Sequence, residues 1–143
     1  MSQKDKLLQL LKKQVEIEND HVKRIKELEK KAGTAAARLL LIEMRLDSAK
    51  HASILNEIIQ VIVDVHPSQT LWDYRIEGYV DKLAVKKELE NHVKMETEVL
   101  AHVEEEMKHT KDEGLKLLLE HIAADEKKHH AILETIVKNS YKI

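Results

Sequence analysis

Residues 117–136 read LLLEHIAADEKKHHAILETI, and residues 39–58 read LLLIEMRLDSAKHASILNEI. In both stretches apolar residues recur at spacings of three and four, the period of one face of an α-helix, and an Asp and a His break that face at the same two places. The face of the later stretch is Leu118, Ile122, Asp125, His129, Ile132 and Ile136. That of the earlier one is Leu40, Met44, Asp47, His51, Ile54 and Ile58, continuing into Val61 and Val65. β-structure has no place in such a pattern.

The match extends outward from these segments. Sliding the chain on itself by 78 positions (96 − 18 = 78) also pairs Val15 with Val93, Glu18 with Glu96, Val22 with Leu100 and Ile25 with Val103. Heptad coincidence could align the apolar residues of two unrelated hairpins, but it explains poorly why polar residues inside the apolar face align too. Only three Gly and one Pro punctuate the chain, at Gly33, Pro67, Gly78 and Gly114. They predict four helices over about 4–31, 35–65, 80–110 and 113–139, each roughly 40–47 Å long at 1.5 Å per residue. Short links around Gly33 and Gly114 predict two helical hairpins. The longer passage from His66 to about Gly78, with Pro67, Trp72 and Tyr74, predicts a crossover between the second and third helices. The expected fold is all-α, an antiparallel four-helix bundle forming a single domain over 1–143.

Composition narrows the function. The 143 residues hold 24 Lys+Arg, 26 Asp+Glu and 9 His, a net charge of −2, so no basic excess points to nucleic acid. No Cys is present, which removes disulfides, thiolate metal sites and thiol nucleophiles and leaves His and carboxylate as metal ligands. The charged N-terminus lacks a signal-type apolar stretch, and the longest aliphatic run, Leu39 to Ile42, cannot span a bilayer. A cytoplasmic protein without membrane contact is expected.

The first predicted helix carries the face Leu8, Leu11, Val15, Glu18, Val22, Ile25, and the third carries Leu89, Val93, Glu96, Leu100, Val103, Met107. Each therefore directs one Glu inward. Burying unpaired carboxylates costs several kcal/mol each, so four acids and two imidazoles aimed at one core call for a compensating charge. A pair of divalent cations would supply it, and neutral imidazoles would complete the ligand shell.

One Glu from each of two helices, plus a carboxylate and a His about one turn apart on each of the other two, resembles the ferritin-like di-iron carboxylate proteins. Their order is Glu, Glu-x-x-His, Glu, Glu-x-x-His. This chain offers Glu18, then Asp47 or Ser48 with His51, then Glu96, then Asp125 or Glu126 with His129. Glu126 and His129 make a true Glu-x-x-His. The second helix has Ser48 at that position, with Asp47 one residue earlier and one methylene shorter as the substitute. The resemblance implies ferritin-like topology and two iron ions, or manganese, zinc or a mixed pair, held by Glu18, Asp47, His51, Glu96, Glu126 and His129, with Asp125 as the rival to Glu126.

The chain has no cysteine-rich electron-transfer segment and no fifth helix of the kind cage-forming ferritins append, so a rubrerythrin-like domain is the expected relative. The resemblance then implies Fe(II) oxidation by hydrogen peroxide or dioxygen, one electron from each iron, detoxification of peroxide or iron, and an external electron donor. No catalytic residue beyond the metal ligands is expected. The competing reading is a helical scaffold, metal-free or metal-binding, acting through subunit or partner contacts, with a homodimer formed through the Trp72 segment. His121 and His130 are candidates to orient a ligand, and Glu43 could replace a missing carboxylate. His21, His66, His92, His102 and His109 are expected on solvated flanks or ends, with His92 and Glu96 also offering the His-x-x-x-Glu spacing of hemerythrin-type bundles. Tyr74 and Tyr79 are expected in packing or subunit contact.

Overall fold

The computed structural model describes residues 2–75 and 81–140, and all regular structure among them is α-helical. Gly78, Tyr79 and the expected start of the third helix at residue 80 lie outside the described residues. Four helices, α1 (Gln3–Lys31), α2 (Ala35–Ile62), α3 (Lys82–Lys108) and α4 (Glu113–Ser140), fall into two compact units, 1–74 and 75–143. Among the described residues no helix is long and apolar enough to cross a membrane.

In the first unit α1 opens on a capping box. The Ser2 hydroxyl accepts from the Asp5 backbone N–H at 3.1 Å, and the Asp5 carboxylate accepts from the Ser2 backbone N–H at 3.2 Å. The Ser2 hydroxyl also donates to Asp5, and these bonds hold the Asp5 carboxyl below its ordinary value. The chain reverses over residues 32–34, and Thr34 caps α2 by accepting from the Ala37 N–H at 3.1 Å.

Three cross-links set the pairing of α1 with α2. Near the turn Arg45 donates to Glu29 at 2.7 and 3.4 Å. Midway His51 faces Glu18. At the far end the Lys4 ammonium donates to the carbonyls of Val63 and Val65, each at 2.8 Å. Helix α2 ends at Ile62, short of the expected 65. Its last amides turn to tighter bonds, Asp64 to Val61 and Val65 to Ile62, as the chain approaches Pro67, which disfavours helical backbone at His66.

In the second unit Asp81 caps α3 through the Ala84 N–H at 3.1 Å, and Asp112 accepts from the Leu115 N–H at 2.9 Å. Asp112 is the register mate of Thr34. The reversal therefore occupies residues 109–112, and Gly114 lies inside the first turn of α4 instead of in the link. Val103, Leu119 and Ala123 form the buried core here, with Leu100 and Met107 packed against it.

The buried edge of α2 is not the face drawn from its periodicity. Ser48, Ala52 and Leu55 are buried, each one position after Asp47, His51 and Ile54. Leu119 and Ala123 likewise follow Leu118 and Ile122. Apolar residues occupy both edges, as in Leu40/Leu41 and Ile54/Leu55, so the period alone does not select the edge that meets the paired helix. Small side chains at Ser48, Ala52 and Ala123 do, because they let two helix backbones approach closely. The other edge stays open: Met44 and Ile54 are 55% and 53% exposed, and Ile122 and Ile132 are 37% and 55% exposed.

Candidate metal centre

Helix α3 delivers Glu96, and α4 delivers Glu126 and His129 three residues apart, on the edge of α4 nearest α3 and the edge beside it. One donor atom from each of the three lies within 4.8 Å of the other two. His129 Nδ1 stands 3.7 Å from Glu96 Oε2 and 3.9 Å from Glu126 Oε2. Both carboxylates are largely buried, whereas the imidazole is half exposed.

These separations are too long for hydrogen bonds. They suit a different partner. Donors bound at about 2.0–2.2 Å to one divalent ion stand roughly 3.0–3.5 Å apart, so a contraction of a few tenths of an ångström would bring His129 to ligand spacing from either carboxylate. Glu96 Oε2 supports that fit, because it is buried with no hydrogen-bond partner. An orphaned carboxylate oxygen costs stability unless a cation or proton meets it. Two carboxylates and one imidazole are hard and borderline donors, suited to iron, manganese or zinc, and their two negative charges balance one divalent ion.

The first unit repeats part of this arrangement. His51 Nδ1 lies 3.5 Å from Glu18 Oε2, and that oxygen too is buried without a hydrogen-bond partner. The third donor differs. The mate of Glu126 is Ser48, 8% exposed, and among the described residues of this unit no further His, Asp or Glu joins Glu18 and His51 in a three-donor group.

The remaining candidates sit elsewhere within their own units. Asp47 lies 3.6 Å from Lys50 Nζ. Asp125 lies 3.6 Å from His121 Nε2 and 3.9 Å from Lys128 Nζ, so in α4 it is Glu126 that shares the group with Glu96 and His129. His92 faces Glu88 at 3.4 Å, His130 faces Glu134 at 3.7 Å and His109 meets Glu105 at 3.2 Å, all one turn apart on helix surfaces where such pairs contribute little. His66 bonds Ser68 through Nδ1 at 2.7 Å, and His21 and His102 are exposed. Trp72 is exposed and Tyr74 half-buried.

One polar contact carries no signal in the helix periodicity. The Glu29–Arg45 ion pair of the first unit has Met107 and Ala123 as its register mates, both part of the apolar core of the second. Compared with known protein families, characterised proteins and solved structures, the chain matches none of them.

Proposed function

We propose that the chain is a metal-binding protein of the ferritin-like, rubrerythrin-like type, with its two hairpins closed into an antiparallel four-helix bundle, and that it oxidises Fe(II) with hydrogen peroxide or dioxygen. The observation that carries this reading is Glu96 Oε2, buried without a hydrogen-bond partner and grouped with Glu126 and His129. Support for the bundle comes from the open apolar edges, where the exposed Leu39, Met44 and Ile54 have the exposed mates Leu117, Ile122 and Ile132. Apolar edges of this extent call for a cover, and each hairpin offers the other a matching one.

Iron held there would supply the electrons that reduce the oxidant. The residues of the chain do the rest. Glu96 and Glu126 offset the charge of the cation, and their burial strengthens that attraction by excluding water. His129 adds a nitrogen donor without adding charge, and its half-exposed ring keeps the donor group within reach of ions from solvent. An external donor would return the electrons after each turnover, and a second copy meeting the exposed Trp72 segment is the proposed partner.

A second reading has its own observation. His129 stands between two carboxylates at ion-pair distances, which as an imidazolium would form a metal-free polar network within a helical scaffold. Elemental mass spectrometry of tag-free protein, followed by anaerobic Fe(II) loading and exposure to peroxide under an optical probe, separates the two. Iron bound at purification or on loading, with a transient oxidised absorbance, is the expected result. Absence of bound metal together with no Fe(II) uptake leaves the scaffold.

A further inference from the structure

We infer that the two hairpins are unequal metal sites, and that one divalent transition-metal ion binds tightly per chain, at Glu96, Glu126 and His129, while the Glu18–His51 pair holds no ion tightly by itself. The inference rests on the metal-binding reading above and departs from the symmetric two-ion site that the resemblance implies.

The repeat register compares the two places residue by residue. Glu18 corresponds to Glu96 and His51 to His129, and both pairs keep nearly the same separation, 3.5 and 3.7 Å. In both, the Glu Oε2 is buried and lacks a hydrogen-bond partner. The difference is the third position, where α4 presents the Glu126 carboxylate and α2 presents the buried Ser48 hydroxyl. A neutral hydroxyl is a far weaker ligand for a divalent ion than a carboxylate and leaves one positive charge unmatched in a site of one Glu and one His. The Glu–His pair is thus duplicated while ligand count and charge are not.

Cobalt(II) titration of the full-length apo chain, followed by calorimetry and by visible absorption of the bound ion, tests this. One tight equivalent per chain is expected. Glu126→Ser, which gives α4 the residue α2 already has, should weaken that equivalent by about 100-fold or more, as loss of a direct ligand should exceed the 10–100-fold typical of outer partners. Glu18→Ala, which removes the carboxylate of the pair that lacks a third charged donor, should leave it within about 3-fold. Ser48→Glu should add a second equivalent, and if that variant fails to fold by circular dichroism the other two variants still decide.

Two equivalents of similar affinity in the wild type would overturn the inference while leaving the metal-binding reading intact, as would equal losses from Glu18→Ala and Glu126→Ser. No cobalt binding by the wild type would remove the metal-binding reading and the inference with it.

Discussion

Ser48 and Glu126 occupy the same place in two repeated hairpins, one buried on α2 and the other beside Glu96 and His129 on α4. The Glu–His separations at the two places are nearly the same, 3.5 and 3.7 Å, so the difference in chemistry resides in the third side chain. A serine there can satisfy itself locally, whereas a glutamate adds a charge that the buried Glu96 oxygen already makes costly.

That cost predicts a trade between stability and binding at Glu96. In the presence of chelator, Glu96→Gln should unfold at or above the wild-type temperature, with a gain of about 0.5–1.5 kcal/mol, because an amide is less costly than an orphaned carboxylate in the same place. Added divalent metal should raise the wild-type melting temperature and leave that of the variant unchanged. Calorimetric melting with and without metal checks both halves. A variant that is less stable than wild type in chelator would show that the carboxylate is already satisfied.

The Glu29–Arg45 pair predicts a non-additive double variant. Both side chains are largely buried, so Arg45→Ala should cost about 1–3 kcal/mol by stranding the Glu29 charge. Glu29→Met combined with Arg45→Ala installs the apolar residues that the other hairpin has at these positions and should recover most of the loss. Urea denaturation of the two single variants and the double measures the coupling. Simple addition of the two losses would contradict the equivalence of the hairpins.

The open edges predict the outcome of inserting charge. If these edges close a four-helix bundle, Ile54→Asp and Ile132→Asp should each cost about 2–4 kcal/mol, the combined loss of apolar burial and gain of a desolvated carboxylate. Effects within about 0.5 kcal/mol, as for ordinary surface positions, would mean that nothing covers them and would remove the bundle.

Asp5 predicts a pH-dependent helix terminus. Its carboxyl is held below the ordinary value of 3.8, first by the Ser2 side chain and then by the Ser2 backbone, so folding favours the ionised form. The contribution is therefore present in full above the ordinary carboxylate range and is lost as pH falls through the lowered value. Carbon-detected NMR titration should place the Asp5 midpoint below that of an unstructured Asp, and Ser2→Ala should move it back up. An unchanged midpoint in Ser2→Ala would rule out the capping box as the cause.

Much of this arrangement is legible in the amino-acid pattern, and the reasons are local. Long runs of helix-forming residues, punctuated only at Gly33, Pro67, Gly78 and Gly114, place the helix starts close to where they occur. The Glu18–His51 and Glu96–His129 pairs are visible because polar residues interrupt apolar faces at matched positions. Glu126 is visible through its three-residue spacing to His129. What the pattern does not reveal is pairwise: which of two adjacent apolar edges meets the paired helix depends on side-chain size at Ser48, Ala52 and Ala123, a property the period does not encode. Glu29 and Arg45 are likewise indistinguishable in sequence from the many solvated charges around them, since their burial depends on a partner 16 positions away.

Lys4 has a consequence for the entropy of the chain. Helix α2 carries no basic residue in its last turn, and the ammonium of Lys4, reaching from the start of α1, binds the carbonyls of its C-cap Val63 and of Val65 just beyond it. The hairpin is thereby fastened at both extremities, by the turn at 32–34 and by one cation at the opposite end. The segment that follows Val65 thus departs from an anchored origin. Whatever that segment must reach, its search begins from a fixed point instead of from a fraying helix end, and the loop-closure entropy it must lose is correspondingly smaller.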